Sequence, residues 1–311
     1  MKALPRVTPL VSIMLPCFNS QDTLPLALAS CIGQSIDDWE CVCLDDGSTD
    51  RTSEILEYAA ARDSRFRIDR FTVNQGRGAG RQRILELVRG EYLAFLDSDD
   101  WMYPERLARE VRWLEADSKI AAVSACAAVT DGPDVLVGVQ RPRAPHALPT
   151  VAMFDRPVPP PLVFPTSMIR TDLAKATGFD PAFRRSQDSD FLIRALLGKH
   201  YALGSEILYA YSQASAANLE RTLEGYHYRM RSHLRHWQAH PVRVMRTLSE
   251  TGAKILAYRA AGLLGMESSL IHRRWDAFDE GHRHEFAAAL AQVRVAESAL
   301  FESAQPATGS P

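Results

Sequence analysis

Residues 92–100 read YLAFLDSDD, an apolar strand-like run followed at once by an acidic turn. In extended backbone, residues two apart point the same way, so Asp97 and Asp99 can converge on one site. Neighbouring carboxylates repel each other unless a cation compensates, and hard divalent ions take carboxylate, water and phosphate oxygens. The stretch also fits an acidic cap before a helix that starts near Pro104, because aspartate is common in turns. A metal site and a structural turn are therefore both open at this point.

Similar apolar runs recur through the first half of the chain and alternate with helical patterns. They span residues 11–15, 39–44, 67–73, 92–96 and 120–129. Consecutive apolar residues are typical of strands buried on both faces, and the alternation with helices is typical of parallel sheets. We therefore predict a Rossmann-like α/β fold with a mostly parallel central sheet and helices on both faces.

Helical spacing between these runs indicates which residues face the core. Leu24, Leu28, Cys31 and Ile32 share one helical face, as do Leu107, Val111 and Leu114. Gly90 is predicted to stop a helix that includes residues 84–89. Residues 142–165 are rich in proline and are predicted to form a loop-rich connection.

Composition excludes several classes of protein. Of the 311 residues 46% are hydrophobic and 24% charged, which is normal for a globular protein, and the net charge of −2 provides no basic field for nucleic acid. No stretch reaches the roughly 20 apolar residues of a membrane span. The five cysteines lie mostly in apolar runs and are expected to be reduced core residues, although a metal pair at Cys41 and Cys43 is an alternative. We expect a cytoplasmic protein.

Two more turns follow predicted strands. Residues 45–50 read DDGSTD, and residues 74–83 read NQGRGAGRQR. Ligands of open α/β sheets bind beyond the carboxyl ends of the strands, so these turns and the acidic turn at 97–100 can share a site. Glycine lets backbone approach a ligand closely, and arginine suits phosphate. Helix capping by Asp50 and a solvated arginine loop are the structural alternatives.

Together these motifs resemble a known family. Residues 16–19 (PCFN), 45–50, 74–83 and 97–100, followed by 178–180 (GFD) and 187–191 (QDSDF), stand in the order found in the inverting family 2 glycosyltransferases. The resemblance covers roughly the first two thirds of the chain. It implies the A-type glycosyltransferase fold, with a helical C-terminal extension in this chain.

The resemblance also implies roles for individual residues. Asp188 would be the catalytic base, Asp99 a direct ligand of Mn²⁺ or Mg²⁺, and Asp97 would lie near the metal or the ribose. Asp46 would hydrogen-bond the base, with Asp45 supporting the turn, and Arg81 would approach the diphosphate. The full set implied to bind the nucleotide sugar is Pro16, Phe18, Asn19, Asp45, Asp46, Gly76, Arg81, Asp97 and Ser98.

The implied reaction is the inverting transfer of a sugar from a nucleotide-diphosphate sugar to an acceptor hydroxyl, and UDP is the expected nucleotide. The family association is with surface polysaccharide or glycolipid synthesis. A single addition is expected, because the Gln-x-x-Arg-Trp motif of processive members is absent. The chain departs from the family at Gln187, where a glutamate is usual, and at residues 212–215, where relatives carry arginine and histidine.

These departures leave two alternatives open. The chain could be a non-catalytic scaffold that binds nucleotide sugars. Gly76, Gly78 and Gly80 between a strand and a helix also suggest an NAD-dependent oxidoreductase, although the spacing is one residue short of the usual fingerprint.

The resemblance suggests a division of the chain into regions. Residues 1–215 would form the catalytic domain, with a nucleotide-sugar half at 1–130 and an acceptor half at 131–215. Beyond these residues, apolar side chains at helical spacing predict a helical region at 216–303, and small polar residues predict a disordered tail at 304–311. Histidines and arginines in the helical region suggest peripheral contact with the inner face of the cell membrane or a homodimer, whereas His282 and His284 are expected to be surface or packing residues.

Overall fold

The computed structural model describes residues 8–144, 147–183, 185–212, 219–263 and 275–301. Within these ranges, ten strands form one sheet whose main path has the order β3-β2-β1-β4-β9-β6-β10-β5, while β7 pairs with β6 and β8 with β10. The strands are β1 (Val11–Cys17), β2 (Trp39–Asp46), β3 (Phe66–Phe71), β4 (Tyr92–Phe95), β5 (Trp101–Met102), β6 (Ile120–Asp131), β7 (Val135–Gln140), β8 (Thr150–Phe154), β9 (Ser167–Arg170) and β10 (Lys199–Ser212).

Helices cover both faces of the sheet, as predicted. They are α1 (Leu24–Ile32), α2 (Thr52–Arg62), α3 (Arg77–Leu87), α4 (Arg106–Glu115), α5 (Thr171–Thr177), α6 (Gln187–Leu196), α7 (Leu219–Leu234), α8 (Pro241–Leu263) and α9 (Glu280–Phe301). One hydrophobic core takes side chains from α1, α2 and α4, and a second takes them from α3, α5 and α6. Ile13 and Leu15 enter the first core and Met14 the second, because alternate residues of a strand face opposite sides. The predicted α/β fold is confirmed.

The pairing of the strands is parallel only in part. Strand β1 lies between β2 and β4, parallel to both, and β3 is parallel to β2. Strand β9 then enters between β4 and β6 and is antiparallel to both. The sheet is therefore mixed in its second half, where β6 and β10 are parallel to each other but β9 is antiparallel to both of its neighbours. The reason is that the chain reaches β9 from the proline-rich connection, not through a crossover helix.

The predicted helical faces are confirmed, but the end of α3 differs. Leu24, Leu28 and Cys31 are fully buried, and Leu107 is buried in α4. Helix α3 ends at Leu87, so Gly90 is not its stop. Instead, a Cβ atom at Gly90 would lie 2.5 Å from the backbone nitrogen of Ser12. Glycine is required there for the close approach of two backbone segments.

The proline-rich connection is not loop throughout. It contains β8, which pairs antiparallel with β10, and the short 3₁₀ helix Phe164–Thr166. The sequence prediction missed β8 because prolines surround it. Elsewhere, the five cysteines are buried and unpaired, which confirms the prediction of reduced core thiols.

Two of the C-terminal helices pack on the sheet domain. Helix α9 lies against α1 and buries Phe286, Val293 and Leu300, and Phe301 at its end stacks on Tyr58. Helix α7 packs on α6. The predicted tail at 304–311 lies outside the described residues. None of the helices within the described ranges is both long and apolar enough to cross a membrane.

Candidate active site

The carboxyl ends of three neighbouring strands meet at one cavity. Pro16 and Cys17 end β1, Asp46 ends β2, and Asp97 follows β4 closely. The cavity has a volume of about 690 Å³. We call it the strand-end cavity; its lining residues that were predicted from the sequence are Pro16, Phe18, Asn19, Asp46, Gly76, Arg81, Asp97, Ser98 and Asp99.

Residues 18 and 19, which follow β1, form part of the cavity rim and are hydrogen-bonded to the turn that follows β2. Asn19 has a positive φ of 49°, and its backbone N–H donates to Ser48 Oγ at 3.0 Å. The backbone N–H of Thr49 donates to Asn19 Oδ1 at 2.9 Å. Phe18 lies beside this turn with 47% of its surface exposed. The sequence motif thus places an exposed aromatic ring on a fixed rim, where a flat ligand group could stack.

The two aspartates at the end of β2 hold backbone loops. Both carboxylate oxygens of Asp46 accept backbone N–H groups, from Gln75 at 2.7 Å and from Gly76 at 2.9 Å. Asp45 is buried and accepts the N–H of Ser48 at 2.9 Å. The predicted support of the turn by Asp45 agrees with this contact. The anchoring of the glycine-rich loop by Asp46 was not foreseen, and Asp46 still lines the cavity.

Arg81 is fixed at the floor of the cavity. Its side chain is only 5% exposed, and Nη2 donates to Asp97 Oδ1 at 2.8 Å. The guanidinium lies over the ring of Phe164, with Cζ 4.5 Å from the centroid. The Arg81 side chain is therefore already ordered, so binding an anion would cost it little further conformational entropy.

The carboxylates of the acidic turn at 97–100 lie in different surroundings. Asp100 is buried and accepts hydrogen bonds from Tyr209 Oη and the Ser212 N–H, each at 2.7 Å. Asp97 and Asp99 line the cavity. Burial, with a further contribution from Asp97, raises the pKa of Asp99 above its usual value. The charges of Arg77 and Arg81 offset part of this cost of ionising Asp99, and a bound cation would offset more of it.

Ser98 connects the acidic turn to the segment that follows β1. Ser98 Oγ and Ser20 Oγ are 2.7 Å apart, and Thr23 Oγ1 donates to the carbonyl oxygen of Ser98 at 2.8 Å.

Among the described residues, no cluster of three or more His, Cys, Asp or Glu side chains could hold a metal ion. Asp97 and Asp99 alone form a two-carboxylate set, which suits a hard divalent ion completed by ligand and water oxygens. Residues 213–215, which belong to the segment that departs from the family pattern, lie outside the described residues.

Asp188 lies in the first turn of α6 and lines an adjoining cavity of about 250 Å³, which we call the Asp188 cavity. The two cavities share four lining residues, namely Arg77, Arg81, Asp97 and Arg185. Ser186, just before the helix, has a positive φ of 52°. Gln187 is buried. The structure therefore brings Asp188 to the far side of Arg81 and Asp97 from the rim after β1.

Several lining residues were missed by the sequence reasoning. Arg77 belongs to the glycine-rich motif but was not singled out. Arg185 and Glu224 pair at 2.6 Å, and Ser186 Oγ donates to the carbonyl oxygen of Gly225 at 3.0 Å. Glu224 and Gly225 come from α7, in the C-terminal region, and no local signal in the sequence connects them to the site.

The histidines suggested as surface groups are placed accordingly. The His282 ring pairs with Asp279 at 2.6 Å at the start of α9, and His284 is exposed. Neither lines the strand-end cavity or the Asp188 cavity.

Comparison with known proteins agrees with this geometry. The model of the family described as "Glycosyl transferase family 2" matches residues 12–178, which is more than half of the chain. An uncharacterized glycosyltransferase of Haemophilus influenzae is 36% identical over 106 residues, or 34% of this chain and 42% of that protein. The Escherichia coli UDP-Glc:alpha-D-GlcNAc-diphosphoundecaprenol beta-1,3-glucosyltransferase WfaP is 31% identical over 108 residues, or 35% of this chain and 42% of that protein. The matched stretches thus span less than half of either relative.

A solved structure extends the likeness of fold over nearly the whole chain. Residues 1–349 of S. aureus TarS, in complex with UDP-GlcNAc, superpose with a TM-score of 0.56 and 17% sequence identity, covering 94% of this chain and 92% of that one. The likeness supports the A-type fold expected from the motifs. With the family model spanning the acidic turns, the glycine-rich loop and the site between them, the chain belongs to glycosyl transferase family 2.

Proposed function

We propose that the chain is an inverting glycosyltransferase that moves a sugar from a nucleotide-diphosphate sugar to an acceptor hydroxyl. One observation carries the proposal. Asp46, Arg81, Asp97 and Asp99 line one cavity, and Asp188 lines an adjoining cavity that shares Arg81 and Asp97 with it. A donor in the first cavity would therefore present its sugar toward the carboxylate in the second.

The strand-end cavity supplies groups for each part of a nucleotide. Phe18 would stack on the base, and Asp46 would accept from its N–H, with lone pairs left beyond the two backbone contacts. Arg81, Arg77 and the first turn of α3 would stabilise the diphosphate, because cations and helix N-termini both favour anions. UDP is the proposed nucleotide, supported by the UDP sugars named for the E. coli and S. aureus proteins.

Asp97 and Asp99 would hold Mn²⁺ or Mg²⁺. Their two carboxylates fit such an ion, since both line one cavity and since burial and the like charge of Asp97 disfavour the ionised form of Asp99. A bound divalent ion supplies Lewis-acid stabilisation of charge on the diphosphate. Metal dependence is accordingly part of the proposal.

Asp188 would act as the base in a single displacement. The acceptor oxygen forms a bond to the anomeric carbon while its proton passes to the Asp188 carboxylate. The bond from the anomeric carbon to the phosphate oxygen breaks on the opposite face, and its electron pair leaves with the nucleotide diphosphate. Arg81 and Arg77 stabilise the charge that develops there. Attack opposite the leaving group inverts the anomeric configuration.

The acceptor is proposed to belong to a surface polysaccharide or glycolipid precursor, as the name of the E. coli relative suggests. A single addition is proposed, because the motif of processive members is absent.

We further propose peripheral membrane contact through α8. Val242, Met245, Leu256 and Leu263 are exposed on this helix, and Arg246 and Arg259 flank them. Exposed apolar side chains beside cations are typical of helices that lie on anionic membranes.

Donor binding tests the proposal most directly. We expect UDP sugars with Mn²⁺ to raise the melting temperature by several degrees, because ligand at a hundredfold excess over Kd stabilises by about 2.7 kcal/mol. Asp99→Ala should lose most of the metal-dependent part of this shift. Asp117→Ala, an exposed acid that lines neither cavity, is the matched control.

Three outcomes would contradict the proposal or redirect it. No shift with any nucleotide sugar would refute donor binding. The scaffold alternative would be favoured if the chain bound the donor but neither transferred nor hydrolysed its sugar, and if Asp188→Asn bound the donor equally well. Tight NADH binding without metal would favour the oxidoreductase alternative.

A further inference from the structure

A third cavity lies beyond Asp188. It has a volume of about 690 Å³ and shares Asp188, Ser189 and Tyr211 with the Asp188 cavity. Its walls come from the proline-rich connection, α7, α8 and the segment at 275–276. We call it the aromatic cavity. If the proposed function holds, it is the space from which an acceptor hydroxyl reaches Asp188.

Aromatic rings line this cavity in two pairs. The Tyr211 and Trp275 rings have centroids 6.3 Å apart, and the Tyr226 and Tyr258 rings have centroids 5.8 Å apart. Rings of this kind offer flat apolar faces together with polar edges. Such a surface suits the C–H faces and hydroxyls of a carbohydrate or polyol.

The charge of the lining is unbalanced. Arg141, Arg143, Arg229 and Lys254 line the cavity, whereas its acidic residues are Asp188 and Asp276. Asp276 pairs with Arg141 at 3.2 Å. Arg143 and Lys254 are exposed and form no ion pair with any acid in the described part of the chain. A hydrogen bond from Arg246, with a smaller contribution from the charge of Lys254, lowers the pKa of Glu250. Glu250 thus balances the Lys254 ammonium only in part, and both Lys254 and Arg143 can pair with an anion from outside.

From these two features we propose that the acceptor is a carbohydrate or polyol that carries an oxyanion, either a phosphodiester or a carboxylate. Arg143 and Lys254 determine this specificity by pairing with the oxyanion, while the aromatic rings contact the sugar or polyol. The proposal rests on the proposed function, and it adds the chemical class of the acceptor. It differs from donor binding, because neither Arg143 nor Lys254 lines the strand-end cavity.

The experiment compares matched ligands with and without charge. Trigalacturonate and its methyl ester form one pair; a ribitol-phosphate oligomer and ribitol form the other. Binding to the full chain would be measured by calorimetry with UDP and Mn²⁺ present, so that the strand-end cavity is filled. We expect at least one anionic ligand to bind about tenfold more tightly than its neutral partner, and less tightly at high salt.

Variants assign the effect to the cavity. Arg143→Gln and Lys254→Gln should each weaken binding of the anionic ligand about fivefold, and Lys254→Arg should restore it. UDP affinity should not change in any of them. Lys119→Gln, at an exposed position that lines none of the three cavities, is the control.

The results separate this inference from the proposed function. Equal affinity for charged and neutral ligands, or no loss in either Gln variant, would overturn the inference. It would also be overturned if UDP bound and neither anionic ligand did. Failure of the wild-type chain to bind any UDP sugar would instead overturn the proposed function. Preference for the phosphate or the carboxylate pair identifies which oxyanion is recognised.

Discussion

Asp97, Asp99 and Asp100 are neighbours in the chain but have different surroundings. Asp97 pairs with Arg81, Asp99 lines the strand-end cavity, and Asp100 is buried against Tyr209 and the backbone of Ser212. Burial raises the pKa of Asp100 well above its usual range. The acidic turn is therefore structural at Asp100, as one of the two interpretations from the sequence held, whereas Asp97 and Asp99 face the cavity, where a metal site is the proposal.

At the residue scale, Asp188→Asn tests the base. The amide keeps the shape of the side chain but cannot accept the acceptor proton, so kcat should fall by about 10²–10⁴. UDP affinity should stay within about twofold, because Asp188 lines the adjoining cavity and not the strand-end cavity. Steady-state transfer assays and calorimetry measure the two effects. An unchanged kcat would assign the base to another group.

At the scale of single elements, Gly90 shows how closely the β-strands and their connections pack. Its N–H donates to Ser12 Oγ at 2.8 Å, next to the point where an added Cβ would clash. Ser12 Oγ in turn donates to Glu40 Oε1 at 2.7 Å. A side chain at position 90 would therefore disturb a buried polar network as well as the backbone.

We expect Gly90→Ala to destabilise the fold by about 1–3 kcal/mol, because overpacking forces backbone shifts. Gly252→Ala is the matched control, since Gly252 lies inside α8 with no atom within 4 Å of an added Cβ. That change should stabilise the chain by about 0.5–1 kcal/mol, as alanine is the better helix former. Urea denaturation measures both. Equal effects of the two changes would contradict the packing argument.

Helix α7 is held against α6 and the segment before it by polar contacts. Ser232 Oγ donates to Asp190 Oδ1 at 2.9 Å, and Arg235, just beyond the helix, pairs with Asp180. His233 is buried in the same turn. Burial, with a smaller contribution from Arg229, lowers the pKa of His233 to about 4. The folded state thus favours the neutral imidazole.

This lowered pKa predicts acid sensitivity of the α7 contact. The stability that neutral His233 contributes is complete above its ordinary pKa of 6.5 and is lost as the pH falls toward about 4. Between pH 7 and pH 4.5, the wild type should lose about 1–3 kcal/mol of unfolding free energy relative to His233→Leu. Urea denaturation across this range measures the difference. His284→Leu, at an exposed position, should show no such trend.

At the scale of the whole molecule, helix α8 contributes some side chains to the aromatic cavity and exposes others to solvent. Lys254 and Tyr258 line the aromatic cavity, while Val242 and Leu263 are 83% and 90% exposed. A lipid-linked acceptor would therefore meet the cavity and the proposed membrane contact on one helix. This arrangement connects the acceptor proposal with the proposed membrane contact.

Membrane contact predicts binding to anionic vesicles. The chain should co-sediment with vesicles that contain phosphatidylglycerol, but not with pure phosphatidylcholine, and high salt should weaken the binding. Leu256→Asp on α8 should reduce it strongly. Val295→Asp, at an exposed position on α9, is the control. If the two variants bind alike, or the wild type does not bind, α8 is not the contact.

The sequence alone determined the features that depend on local pattern. Apolar runs predicted β1, β2 and β4, helical spacing predicted α1 and α4, and short turn motifs predicted which residues follow the strands. Because parallel strands end at one edge of a sheet, those motifs also predicted that Asp46, Asp97 and Asp99 share a cavity. Each inference needs only neighbouring residues and a rule for one element.

Only the tertiary structure decided what depends on residues far apart in the chain. The antiparallel entry of β9, the requirement for Gly90 beside Ser12, and the contribution of Glu224 to the site join segments that are separated by tens to more than a hundred residues. Such contacts depend on how packed elements fit together, and hydrophobic periodicity carries no record of that fit.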